Sequence, residues 1–182
     1  MSTVKVIGAG LAGVEAAWQA SRLGVKVKLY EMKPLRFSPA HTSPYMAELV
    51  CSNSLRSDSL ENAVGLLKAE MTKLSSLVME AAYACRVPAG GCLAVDREGF
   101  SKYITEKICQ NENIEVVSEE VVSLDEDEIT VVATGPLTDG ALADFLSDYL
   151  ETDSLSFYDA AAPIVEKESI DFSNAFYRFP LG

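Results

Sequence analysis

Val4-Lys5-Val6-Ile7-Gly8-Ala9-Gly10-Leu11-Ala12-Gly13 is the stretch that decides the fold. Val4 to Ile7 is an apolar, β-branched run of strand type, and a glycine cluster and a helix-length segment follow at once. In the order G-x-G-x-x-G, Gly8 permits a tight turn, Gly10 leaves the backbone open to close approach, and Gly13 lets the helix pack closely on the strand. Gly13, Ala17, Ala20 and Gly24 form a small-residue stripe at spacings of four, three and four, which lays the helix tight on a sheet. Val25 to Tyr30 then reads as a second strand and completes a βαβ unit.

Glu31 ends that strand, 18 residues after Gly13. A carboxylate there accepts hydrogen bonds from both hydroxyls of an adenosine ribose, and the helix N-terminus aims amides at a pyrophosphate. A 2′-phosphate at Glu31 meets repulsion, so FAD or NAD is expected rather than NADP. The candidate cofactor contacts are Gly8, Ala9, Gly10, Leu11, Ala12, Gly13 and Glu31. The competing reading is an ordinary tight turn followed by a surface glutamate; strand, helix and acid at concordant positions favour the dinucleotide.

The chain has 182 residues, 48% hydrophobic and 23% charged, enough for one ordinary globular domain, and its composition excludes a disordered or collagenous chain. Fifteen Lys and Arg against 27 Asp and Glu give a net charge of -12, which argues against a bulk basic face for a polyanion. No apolar run approaches the roughly 18 to 20 residues of a membrane helix. Met1-Ser2-Thr3 leads into the first strand without a signal-peptide pattern, so a cytoplasmic location is expected. Four cysteines, Cys51, Cys85, Cys92 and Cys109, contain no C-x-x-C pair, and His41 is the single histidine. Reduced thiols and no metal site are expected.

Residues 32–57, with Pro34, Pro39 and Pro44, read as a long loop with short elements. Asp58-x-x-Glu61 resembles a helix-opening cap, and Leu60, Val64, Leu67, Met71 and Leu74 share one face of an expected long amphipathic helix. Pro88 to Gly91 is a turn, Leu93 to Val95 a short strand, and Gly99 to Gln110 a helix with Phe100, Ile104 and Ile108 on one stripe and Cys109 on its apolar side. Ile114 to Val117 and Ile129 to Ala133 are strands separated by a hairpin-like acidic turn, Asp125 to Glu128. Past Gly135-Pro136 come a helix over Gly140 to Leu150 and a strand-like segment, Leu155 to Ala160.

The run ending Ala133-Thr134-Gly135 resembles the segment by which two-dinucleotide flavoproteins return to their FAD domain, adding Thr134 and Gly135 as cofactor contacts and favouring FAD. Further segments carry a closer resemblance: Leu29-Tyr30-Glu31-Met32-Lys33-Pro34, Pro39-Ala40-His41-Thr42, Ala47-Glu48-Leu49-Val50-Cys51-Ser52-Asn53-Ser54-Leu55-Arg56-Ser57, Asn62 to Lys68, Arg86 to Gly91, Val95-Asp96-Arg97 and Phe157 to Val165. Together with the opening glycine segment they resemble the folate- and FAD-dependent tRNA (uracil-5-)-methyltransferases. The resemblance covers nearly the whole chain and fades after about Asn174. It implies an α/β, Rossmann-like FAD-binding fold with a central parallel sheet, incomplete at the C-terminus. Residues 1–150 are then the N-terminal part of the FAD domain, and 151–182 the truncated start of a following segment or of a second domain.

The family resemblance implies that methylenetetrahydrofolate supplies a one-carbon unit, FAD the electrons and NADH or NADPH the recharge, giving 5-methyluridine in the tRNA T-loop. It also implies a functional thiol at Cys51, since a thiolate adding at C6 of uracil activates C5. Family members use a further cysteine beyond residue 182, so either thiol is a candidate for the step at C6. Arg97 is a candidate contact to phosphate or flavin. His41 is either a site contact or an exposed loop residue, and the remaining cysteines read as core or near-surface thiols. The rivals are the larger relatives that modify wobble uridines with the same flavin fold, and a non-catalytic dinucleotide-binding fragment.

Overall fold

The computed structural model describes residues 3–136, 138–152 and 166–174. The opening segment forms β1 (Thr3–Ile7), α1 (Leu11–Arg22) and β2 (Lys26–Glu31), the expected βαβ unit. After a loop containing no regular element come β3 (Ser54–Ser57), α2 (Ala63–Lys73), α3 (Leu77–Ala84), β4 (Arg86–Val87) and β5 (Cys92–Val95). They are followed by α4 (Arg97–Cys109), β6 (Ile114–Ser118), β7 (Ile129–Val132) and α5 (Gly140–Tyr149). The strand-like segment Leu155 to Ala160 lies outside the described residues.

Two sheets organise these elements. β6, β2, β1 and β7 lie side by side in that order, all parallel, while β3, β5 and β4 form a small antiparallel sheet. The core lies where α1, α3 and α4 meet the sheets, around Val6, Val14, Leu29, Leu77, Leu93 and Phe100, all fully buried. The stripe Phe100, Ile104 and Ile108 is buried as its spacing requires. Among the described residues no helix is long and apolar enough to cross a membrane.

The acidic turn does not join a hairpin. β6 and β7 are parallel and, among the described residues, occupy opposite edges of the sheet, so residues 119–128 return from the carboxyl end of one edge to the amino end of the other. Asp125 to Glu128 are exposed, as a solvated turn requires, but neighbours in sequence are here not neighbours in the sheet.

The expected long amphipathic helix is shorter than its stripe, spanning only Ala63–Lys73, and α3 follows as a separate helix beyond it. α2 starts at Asn62, whose side chain accepts from the Gly65 N–H at 3.0 Å, and Ser75 with φ 59° ends the run. Asp58, the expected cap, instead accepts from the Tyr83 hydroxyl at 2.9 Å and pairs with Arg86 at 3.1 Å. Leu60, Leu67 and Leu74 are exposed, because the apolar weight is taken by α3, where Leu77, Val78, Met79, Ala81 and Ala82 are buried. Gly24 is not part of the small-residue stripe: it turns the chain after α1 with φ +79°, while Val14 and Ser21 join Gly13 and Ala17 on the buried face. Cys109 is exposed rather than on the apolar side of α4.

Candidate functional site

At the carboxyl ends of the parallel strands the chain encloses a cleft of about 380 Å³. Its walls are Ile7 to Ala12 after β1, Tyr30 to Lys33 after β2, Glu119 to Val121 after β6, and Ala133 to Pro136 with Thr138, Asp139 and Leu142 after β7. This is where open α/β sheets take ligands, because chain segments diverge there on either side of a central strand.

The three glycines serve different ends. A Cβ on Gly8, where φ is +93°, would stand 2.8 Å from the Ala133 carbonyl oxygen, and one on Gly13 would stand 1.8 Å from the Gly8 carbonyl oxygen. Both are packing requirements. A Cβ on Gly10 would meet nothing within 4 Å. Gly10 is the N-cap of α1, and no side chain caps the first-turn amides, which form the positive end of the helix dipole beside Leu11 and Ala12 in the cleft wall.

Glu31 joins this loop to the end of β2. Its carboxylate accepts from the Ala9 N–H at 2.8 Å and the Lys33 N–H at 3.0 Å. Each oxygen has lone-pair capacity for a further donor. Across the cleft the Thr134 and Thr138 hydroxyls bond at 2.6 Å, and Thr138 also donates to the Gly135 carbonyl at 2.7 Å.

A second wall comes from the loop after β2. The Ala47 N–H donates to the Ala9 carbonyl at 2.8 Å, so this segment lies directly on the glycine loop. Buried Lys33 donates to the carbonyls of Ser43 and Tyr45 and lies 3.7 Å from Glu48. Burial alone would raise the Glu48 carboxyl, but the N–H groups of Thr42 and Ser43, with Lys33, hold it below its ordinary value. His41 lines the cleft, with Nδ1 2.6 Å from the Ser38 hydroxyl. Burial and then the Lys33 charge lower its pKa, against the opposing pull of Glu48 and Glu31.

Of the sequence-derived residues, Gly8, Ala9, Gly10, Leu11, Ala12, Glu31, Thr134 and Gly135 come together on the cleft, with Gly13 packed beneath. Cys51 and Arg97 do not line it. Cys51 is exposed, next to the lining residue Val50, and its carbonyl accepts from Arg97 at 3.2 Å. Asn53 fastens the same segment to β5, donating from Nδ2 to the Val95 carbonyl at 2.9 Å while Val95 N–H returns a bond to the Asn53 carbonyl at 3.0 Å. Arg97 thus holds the Cys51 loop from the first turn of α4.

Sequence reasoning did not single out Lys33, Ser38, Glu48, Glu119, Glu120, Thr138 or Asp139 as lining residues. For Glu119 and Glu120 a usable signal existed: they directly follow β6, at a strand end where such sheets bind ligands, whereas Asp139 comes seven residues after β7 as the N-cap of α5. Lys33, Ser38 and Glu48 lie in an irregular loop whose path has no periodicity to read.

The family model described as glucose inhibited division protein A matches residues 3–180. The chain is 62% identical over 173 residues to the methylenetetrahydrofolate--tRNA-(uracil-5-)-methyltransferase TrmFO of Acetivibrio thermocellus, covering 95% of this chain and 40% of that protein. It is 60% identical over 173 residues to the protein of the same name from Geotalea daltonii, covering 95% and 39%. The Streptococcus pneumoniae protein of that name is 54% identical over 177 residues, covering 97% and 40%. The chain therefore spans about 40% of the length of these curated relatives. Among solved structures, Aquifex aeolicus GidA superposes with a TM-score of 0.54 at 22% identity over 69% of this chain and 21% of that one, a likeness of fold.

Proposed function

The chain belongs to the glucose inhibited division protein A family, and on that premise we propose that its cleft holds the adenosine diphosphate part of FAD. The activity we infer for the protein carrying this chain is transfer and reduction of a one-carbon unit from methylenetetrahydrofolate to C5 of a uridine in the tRNA T-loop. The relatives' printed activity supports the methyltransferase part of this reading. The observation that carries the cofactor part is the cleft itself, with open space over Gly10, an uncapped helix N-terminus and the Glu31 carboxylate all on its wall.

These residues fit the group. The amides of the first turn of α1 receive the pyrophosphate, Gly10 lets it approach, and Glu31 accepts from the ribose hydroxyls. When bound, FAD supplies the electrons that take the transferred carbon to a methyl group, with NADH or NADPH as their source. Arg97 and Asn53 hold the Cys51 segment at the margin of the cleft. The Cys51 thiolate forms a bond to C6 of uracil, and the C5–C6 π pair moves toward the C4 carbonyl, making C5 a nucleophile toward the folate-derived carbon. Loss of the C5 proton and of the S–C6 bond then restores the ring and the thiolate. An exposed thiol suits a base presented from outside the fold.

Two measurements test this. The purified chain is expected to take up FAD, seen as flavin absorption after gel filtration, and Gly10→Val to weaken uptake at least about tenfold, since a branched side chain fills the pyrophosphate approach. Equal uptake by both removes the cofactor from this loop. In a polypeptide that carries this sequence with the remaining length of its family, Cys51→Ala is expected to abolish uracil methylation and keep its flavin; retained activity removes Cys51 from the chemistry.

A further inference from the structure

The cleft is acidic for a site that takes a diphosphate. Five of its lining residues are carboxylates, Glu31, Glu48, Glu119, Glu120 and Asp139, against one lining ammonium, Lys33. Lys33 is buried and committed to Glu48 and two backbone carbonyls, and Glu31 is held by two backbone N–H groups. Glu119, Glu120 and Asp139 remain, on the segments that leave the two edge strands.

Arg36 stands among them. Its N–H donates to the Met32 carbonyl at 2.9 Å, turning the chain back after β2. Its guanidinium, 48% exposed, pairs with Glu120 after β6, and Asp139 before α5 is a further carboxylate acting on it. It also stands 3.8 Å from where a Cβ on Gly140 would lie. One cation thus pairs the segment that follows β2 with the one that follows β6, and lies near the segment that follows β7.

We propose that Arg36 is a charge-compensating residue of the cleft, which by offsetting Glu120 and Asp139 allows an acidic site to accept a pyrophosphate. The proposal rests on the dinucleotide reading of the cleft and adds the source of its electrostatic balance. Low-dielectric walls focus the field of charges at a cleft mouth, so an uncovered carboxylate there disfavours an anion and leaves a neutral ligand unaffected. A purely mechanical tie between loops would instead act on charged and neutral ligands alike.

The test is binding of ADP and of adenosine to the 182-residue chain by titration calorimetry at low ionic strength. Arg36→Gln is expected to weaken ADP about three- to tenfold, an effect that shrinks as salt is raised. Glu120→Gln breaks the same ion pair but removes a negative charge, and is expected to tighten ADP about two- to fivefold. Arg36→Lys is expected to keep ADP affinity, and adenosine to change less than about twofold in every variant. Circular dichroism verifies that each variant is folded. If Arg36→Gln and Glu120→Gln shift ADP in the same direction, or adenosine follows ADP, the pair is a mechanical tie and the proposal fails while the dinucleotide reading stands. If the unaltered chain binds neither ADP nor adenosine, both fail.

Discussion

Gly10 and Gly13 stand three residues apart in one motif and answer opposite constraints. Gly13 is required because its neighbour is protein, whereas at Gly10 the structure leaves open space, the space that the proposed pyrophosphate would use. The pattern could be read from the sequence since both demands fall on backbone and need only glycine at fixed spacing. His41 could not be decided that way: whether a loop histidine is buried depends on what the loop folds against. Its burial beside Lys33 keeps the imidazole below its ordinary 6.5, so the unfolded chain takes up this proton before the folded chain does. Stability from this residue is full above pH about 6.5 and falls as acidification proceeds toward the folded-state value. Glu48, also held low, loses its contribution in a separate, more acid window below its ordinary 4.5. His41→Asn is therefore expected to flatten the decline of melting temperature between about pH 7 and 5 and leave the steeper loss below it; an unaltered upper slope would show that His41 does not couple to folding.

At the scale of elements, alternation of apolar runs and helix-length segments located β1, β2, β5, β6, β7, α1, α2, α4 and α5, because each side-chain period follows from local geometry, but not β3, β4 or α3. The break between α2 and α3 was not visible. Ser76 caps α3, its hydroxyl oxygen accepting from the Met79 N–H, and Glu15 of α1, 61 residues away in the chain, anchors that cap by accepting from the Ser76 hydroxyl at 2.8 Å and the Val78 N–H at 3.0 Å. Its other oxygen accepts from Gln19 at 2.8 Å. Glu15→Ala is expected to cost about 1 to 2 kcal/mol, as loss of the anchor of a helix cap and of a bond to a charged acceptor. Denaturant unfolding of the two proteins measures it, and a difference below about 0.3 kcal/mol would mean that solvent anchors the cap equally well.

For the whole molecule, the topology governs what remains exposed. Among the described residues β7 is an edge of the parallel sheet, with Ile129 60%, Val131 38% and Val132 38% exposed. An open edge carrying apolar side chains is a template for pairing with another chain. Val131→Lys is expected to reduce concentration-dependent light scattering of the 182-residue chain with no loss of helical circular dichroism; unchanged scattering would place self-association elsewhere. The sequence by itself determined the βαβ opening, the glycine loop, the acid at the end of β2 and the apolar stripe of α4, since each is set by spacing along a few successive turns or residues. Only the tertiary structure decided that β6 and β7 occupy opposite edges, that the loop after β2 folds back onto the glycines, and that Arg36 meets Glu120. Those outcomes depend on contacts between residues far apart in the chain, formed by burial of a shared core, and no local period encodes them.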